Sequence, residues 1–396
     1  MVKTTRSWHD AAMPDPSYPA ARQVAATVQA HFAKHIAAAR AQGRIDLGIE
    51  PDAAFIEAII DAAFWASLRR EEGLTPTISL ALLPPGNAGQ ALTFAEWLPL
   101  YPAALAKLAP AVERPGIHLG VWPVDGALRV WGTTRSIPAF CFVLEVIGSG
   151  LLVVKHRNEP FGKFVNIAVL EGDQIKIVDD RSATVPECPG LLKSLLGQHE
   201  VNASGESVNL LVHLSASMRA HHRGGALLIV PDGTGNNSTK DDWRESIVEP
   251  VVYSVAPRFS ELSDLMGREA EERRTHEWQE DLRRAVDAVA GLTAVDGATV
   301  MTSTFELLAF GAKITRRRSR PPVERVLVTE PIRDSPAVVM TPAQLGGTRH
   351  LSAAQFVQDQ REATALVASQ DGRFTIFQWS PCDDVVHAHR VEALLL

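Results

Sequence analysis

Gly346-Gly347-Thr348-Arg349-His350 is the stretch on which the reading of this chain turns, taken together with Asp296-Gly297-Ala298 upstream. Two glycines let the backbone turn tightly and bring N–H groups close to an anion. Thr348 offers a hydroxyl, Arg349 a planar charged fork suited to phosphate oxygens, and His350 a donor or a base. A helix predicted from Arg349 to Val357 starts here, so its N-terminus adds positive potential for the same anion. Upstream, Asp296 stands beside two residues too small to obstruct a ligand. A carboxylate next to a polyphosphate suits a divalent metal, or a hydroxyl that must lose a proton. Together the two motifs point to nucleotidyl or phosphoryl transfer on a mixed α/β (α+β) fold.

Working outward, residues 207–396 read as one unit of helices and strands. A helix from Val208 to His222 is stopped by Gly224, and Ala226 to Val230 forms a buried strand. Glu261 to Ala290 reads as one long helix with Trp278, Leu282, Ala285 and Val289 in a stripe. Strands follow at Ala298–Met301, Glu306–Ala312 and Arg325–Thr329. Thr364–Ser369 and Arg373–Gln378 pair around Asp371-Gly372 and are predicted to close the sheet.

The N-terminal half, 1–198, reads as a separate α+β module behind a loose terminus at 1–16, and 199–206 reads as a linker. Helices are predicted over Tyr18–Gln42 and after an Asp52 cap, a strand over Thr77–Leu83, and a helix over Phe94–Ala111. Three hairpins then turn at Asp125-Gly126, Gly148-Ser149-Gly150 and Glu171-Gly172-Asp173. Asp125-Gly126-Ala127 repeats the triplet at Asp296, but in a hairpin turn where Asp-Gly is ordinary turn chemistry. Nothing in this half carries a chemical mechanism that names a ligand.

Four segments, in order, resemble the diadenylate cyclase (DAC, DisA_N-type) domain: Arg223-Gly224-Gly225-Ala226-Leu227-Leu228-Ile229-Val230, Asp296-Gly297-Ala298, Gly347-Thr348-Arg349-His350 and Ala368-Ser369-Gln370-Asp371-Gly372. The resemblance covers roughly 207–396 and is greatest to bacterial proteins in which such a domain follows a presumed sensor domain of the DACNV type. It implies a mixed sheet flanked by helices that condenses two ATP into cyclic di-AMP and two pyrophosphates, as a homodimer with its active halves face to face. It implies that Asp296 holds Mg²⁺ or Mn²⁺ and activates the 3′-hydroxyl. Arg349 and His350 would act on phosphates, with Gly297, Ala298, Ile314, Gly347, Thr348 and Ser369 around the nucleotide. The chain departs from the family at Leu351, where the motif has a second arginine, and at Gln370, where it has glutamate.

Length and composition agree with this outline. At 396 residues two domains are expected, and the 39 basic and 46 acidic residues argue against a general nucleic-acid binder. Arg316-Arg317-Arg318-Ser319-Arg320 is a local exception, read as a solvated loop or as an electropositive rim for ATP. Cys141, Cys188 and Cys382 are too far apart to suggest a disulfide framework, and Cys382 with His387 and His389 matches no common zinc spacing. No apolar segment follows Lys3 and Arg6, and the run Ile137–Val154 is broken by Glu145 and a glycine turn. No membrane span and a cytoplasmic location are therefore expected.

Overall fold

The computed structural model describes residues 17–70, 73–158, 164–179, 190–196, 210–232, 242–272, 275–318 and 320–396. The expected loose terminus, the expected linker at 199–206 and Cys188 lie outside these residues. The chain divides into two compact units, Met1–Ile177 and Val178–Leu396, and each is α+β.

The N-terminal unit begins with helices α1 (Pro19–Ala41) and α2 (Ala53–Ser67). Asp52 caps α2 by accepting the Ala54 N–H at 2.8 Å, and Ile56, Ile59, Ile60 and Ala63 recur at helical spacing on its buried side. After β1 (Ile78–Leu82) and β2 (Leu92–Pro99) comes the short helix α3 (Pro102–Leu108). The single helix expected over Phe94–Ala111 is thus half strand. Tyr101, held extended by the following proline, prevents a helix from starting before Pro102, whose fixed φ suits a first helical position. Strands β3 (His118–Val124), β4 (Ala127–Thr134), β5 (Val143–Gly148), β6 (Leu151–Arg157), β7 (Phe164–Glu171) and β8 (Gln174–Ile177) follow as hairpins. The sheet order is β2-β4-β3-β1-β5-β6-β7-β8. Phe32, Ile36, Ile56 and Ile60 from the two helices pack on Leu80, Leu119, Leu144 and Val154 of the sheet.

The C-terminal unit opens with α4 (Gly190–Leu195) and α5 (Leu210–Ala220), then β9 (Gly225–Val230) and β10 (Tyr253–Phe259). The long helix expected over Glu261–Ala290 is three: α6 (Glu261–Gly267), α7 (Glu269–Glu272) and α8 (His276–Leu292). The last starts afresh because the Thr275 hydroxyl caps the Trp278 N–H at 3.2 Å. Then come β11 (Ala298–Thr302), β12 (Leu307–Ala312), β13 (Val326–Thr329), β14 (Val338–Met340), α9 (Pro342–Leu345), α10 (Thr348–Asp359), β15 (Thr364–Ala368), β16 (Phe374–Ser380) and β17 (Val385–Arg390). The sheet runs β10-β12-β11-β9-β15-β16-β17-β13-β14, so the β15–β16 hairpin, expected from the sequence to close the sheet, lies inside it, and β17 carries it on to β13. One face packs under α5, α6 and α8 through Met218, Trp278, Leu282 and Leu366. The other packs under α10 through Ala353, Phe356 and Val357 against Leu228, Val300 and Phe377.

The two sheets share a plan. In chain order β1 to β7 correspond to β9, β10, β11, β12, β15, β16 and β17, with the same neighbours and the same parallel or antiparallel sense at each pairing. Each has one central parallel pair, β1 with β3 and β9 with β11. The plans part between the fourth and fifth matching strands. Residues 135–142 join β4 to β5, whereas residues 313–363, with β13, β14, α9 and α10, separate β12 from β15.

Candidate functional site

A cavity of about 880 Å³ lies in the C-terminal unit at the starts of β9 and β11, the ends of β12 and β15, and the first turn of α10. Asp296, Gly297 and Ala298 line it on one side, Ile314 lies beyond them on the chain leaving β12, and Gly347, Thr348, Arg349 and His350 stand across. Ser369 lines it at the end of β15. The structure therefore gathers all nine expected residues into one cavity, from four separate stretches of chain.

Backbone geometry explains why these stretches carry glycine. Gly297 has φ of +109°, and a Cβ there would lie 2.5 Å from the carbonyl carbon of Gly311. Gly311 has φ of +64° and lies under the Tyr253 ring, which stacks on Phe310 at 4.7 Å. The close Gly297–Gly311 contact fixes where Asp296 enters the cavity. Asp296 itself is exposed.

On the other side, Gly347 is the N-cap of α10 and supplies no side-chain cap. The His350 N–H bonds to the Gly347 carbonyl at 3.0 Å, so the Thr348 and Arg349 N–H groups are the ones that helix geometry leaves without an intrahelical acceptor, an arrangement suited to an anion. Arg349 lies along Gly224, where a Cβ would come 3.0 Å from its Nη1. Gly224 is thus more than a helix stop: with φ of +70° it clears the path of the arginine.

His350 differs from its neighbours. Its ring is buried, 3.4 Å from the Thr375 hydroxyl through Nε2 and edge-on to Phe377. Burial lowers its pKa; Asp371 opposes the shift, and Arg373, Arg349 and Arg390 add to it. A buried, neutral imidazole wedged beneath Gly346 holds the turn in shape and offers a neutral edge to the cavity.

The cavity has charged lining that sequence reading did not single out. Lys313 follows β12, while Asp371 and Arg373 sit on the β15–β16 turn. Nothing in the local pattern distinguishes these from surface charges; only the sheet order brings them to α10. Leu351 is 42% exposed and is not part of the lining, whereas Ser352 is. Leu351 thus stays out of the cavity although it follows Arg349 by only two residues. Of the arginine-rich segment, Arg317 is tied to Glu245 by its guanidinium and donates its N–H to Asp359 at 2.8 Å, and none of its described residues lines the cavity.

The shared sheet plan settles the repeated triplet. Asp296-Gly297-Ala298 leads into β11, but Asp125-Gly126-Ala127 follows β3, the strand matching β11, and forms its turn with φ of +51° and +80°. The two triplets occupy opposite ends of corresponding strands. Aligning Leu80, paired with Leu119 and Leu144, on Leu227, paired with Thr299 and Leu366, sets Ser79 and His118 at the places of the cavity-lining Ala226 and Ala298. Ser79 Oγ and His118 Nδ1 are 2.7 Å apart and buried, so this corner of the N-terminal sheet is filled by side chains. Burial, helped by Arg157 and Lys155, lowers the His118 pKa to about 3.

Among the described residues no group of three or more His, Cys, Asp or Glu side chains is arranged to hold a metal ion, and no helix is long and apolar enough to cross a membrane. His387 pairs with Asp383 at 2.7 Å and His389 with Thr329 at 2.7 Å, which accounts for both histidines near Cys382.

Residues 46–135, which run from before α2 to just past β4, match the family described as a probable sensor domain, DACNV. No curated protein matches the chain.

Proposed function

We propose that the chain is a diadenylate cyclase whose C-terminal unit binds ATP and whose N-terminal unit senses a signal that governs it. The observation carrying this reading is the convergence of Asp296-Gly297-Ala298, Ile314, Gly347 to His350 and Ser369 on one cavity. The match of residues 46–135 to a probable sensor domain supports the regulatory half.

In this reading Arg349, Thr348 and the first turn of α10 hold the nucleotide phosphates, and Ala298 and Ile314 leave apolar space for the base. Ser369 closes the phosphate side. Catalysis is positioning and charge stabilisation, with the 3′-hydroxyl of one ATP directed at the α-phosphorus of another held by a second copy of the chain. Mg²⁺ is commonly held by one or two carboxylates plus substrate phosphates, so a single exposed Asp296 opposite a phosphate cradle fits Mg²⁺ or Mn²⁺. Such a cation would ease ionisation of the attacking hydroxyl. The protein would work in the cytoplasm, where ATP is supplied.

Incubating the purified protein with ATP and Mn²⁺ and searching for cyclic di-AMP by mass spectrometry tests the reading. Asp296→Asn is expected to remove product while ATP affinity stays within a few-fold, because phosphate contacts carry most of the binding. Product at the native rate from Asp296→Asn defeats the assignment. Gln370, which lines the cavity where the resembled motif has glutamate, favours a second reading, a nucleotide-binding sensor without turnover, in which ATP binds and no product forms.

A further inference from the structure

We propose that Arg373 is the second cation that grips the phosphate tail of the bound nucleotide, and that Asp371 is its counter-ion until the nucleotide arrives. The inference rests on the reading of the cavity as a nucleotide site and goes on to say which residues set its preference for phosphate.

Helix α10 contributes only one cation to the cavity. Arg349 points in, while Leu351, two residues on, is exposed and outside the lining. One guanidinium and a helix N-terminus are a modest complement to a triphosphate. The missing charge comes from another element. The β15–β16 turn runs from Ser369 through Gln370, Asp371 and Gly372 to Arg373, and Gly372 has φ of +86°, which folds the turn tightly enough to place Asp371 and Arg373 together. Both line the cavity next to Ser369. Arg349 and Arg373 both line the cavity together with His350.

The pairing within the turn is weak. Asp371 Oδ2 lies 3.4 Å from Arg373 Nε, and Asp371 Oδ1 accepts the Arg373 N–H at 3.3 Å. The side chains are 56% and 57% exposed, so water screens the ion pair and little is lost when it opens. A phosphate offers two oxygens in the geometry a guanidinium prefers and carries more charge than one carboxylate. Nucleotide entry therefore exchanges Asp371 for phosphate at Arg373. Adenosine, lacking the phosphates, leaves the pair intact. Lys313 is the competing cation, but it adjoins Ile314 on the opposite, apolar side of the cavity.

The test is a set of titrations of ATP and of adenosine into full-length protein: wild type, Arg373→Ala, Arg373→Lys, Asp371→Asn and Lys313→Ala. Arg373→Ala is expected to weaken ATP roughly 10- to 100-fold, the range for one charge-assisted contact, and to leave adenosine unchanged. Arg373→Lys recovers part of the loss. Asp371→Asn strengthens ATP about 2- to 5-fold, since the arginine no longer has to be released. A merely structural role for the turn would make both changes weaken both ligands. Equal ATP affinity in wild type and Arg373→Ala, a loss confined to Lys313→Ala, or weaker ATP binding by Asp371→Asn overturns the proposal. Wild-type protein that binds neither ligand overturns the nucleotide reading beneath it, and the assignment of Arg373 with it.

Discussion

Replacing Gly346 by alanine isolates the packing that shapes the phosphate turn. A Cβ at this position would lie 2.3 Å from His350 Nδ1 and 2.7 Å from Cε1 and Cγ. Ordinary contact begins near 3.4 Å, so the ring must retreat by about 1 Å. It has little room, since the imidazole is buried against Phe377 and Thr375. Overpacking of this kind costs about 1–3 kcal/mol. Because His350 shares its helical turn with Thr348 and Arg349, part of the displacement passes to the two residues that the proposed function assigns to phosphate. Gly346→Ala is expected to lower stability by that amount in urea unfolding and to weaken ATP at least severalfold. His350→Ala removes the obstruction. In a double-mutant cycle the second change should then cost less in the Gly346→Ala background than alone, with a coupling of about 1 kcal/mol or more. Additive losses, or a Gly346→Ala protein as stable as wild type, would refute the argument.

Further outcomes follow from the fold. Leu351→Arg is expected to change ATP affinity less than about threefold, because the side chain lies outside the cavity lining; loss of binding in a calorimetric titration would contradict that placement. Val178, Leu192, Leu195 and Leu196 belong to the core of the C-terminal unit, so a fragment of residues 178–396 should melt well above one of 207–396, each buried leucine contributing about 1.5 kcal/mol or more. Burial holds the pKa of His118 and of His156 at about 3, against 6.5 unperturbed, so the unfolded chain binds more protons at acid pH. Stability of the N-terminal unit should be flat above pH 6.5 and fall below it by about 1.4 kcal/mol per pH unit per histidine, down to about pH 3. Melting curves of wild type and His156→Gln at pH 7 and 5 check this, and parallel curves would count against it.

Legibility in the sequence followed the range of the interactions. The Asp52 cap, the Asp125-Gly126 turn and the start of α10 rest on neighbouring residues, and they stand where the pattern predicted them. β10, β14 and β17 had no such signal. β10 and β14 are edge strands that bury no side chain, and β17 carries His387, His389 and Arg390, so alternation is absent or blurred. The helix broken at Thr275 kept its apolar stripe, and only the capping hydroxyl marks the restart. At the cavity, the glycine-bearing motifs were visible because a positive φ at Gly297 and the His350 ring against Gly346 leave no place there for a side chain. Lys313, Asp371 and Arg373 were not, because each is an ordinary surface residue until the sheet order brings it to α10.

The connection between the fourth and fifth matching strands has a practical meaning. In two sheets built to one plan, that connection is residues 135–142 in one and residues 313–363 in the other. The longer one carries Lys313, Ile314 and the whole of α10, so much of the cavity lining sits in one cassette, while Asp296 and Ser369 belong to the common chassis. A chassis of this kind stands without the cassette, as the N-terminal sheet demonstrates by filling the same corner with Ser79 and His118. In the C-terminal unit foldability is tied to the cassette as well, because α10 covers Leu228, Val300 and Phe377: a designer who shortened 313–363 would have to give that face of the sheet new apolar cover.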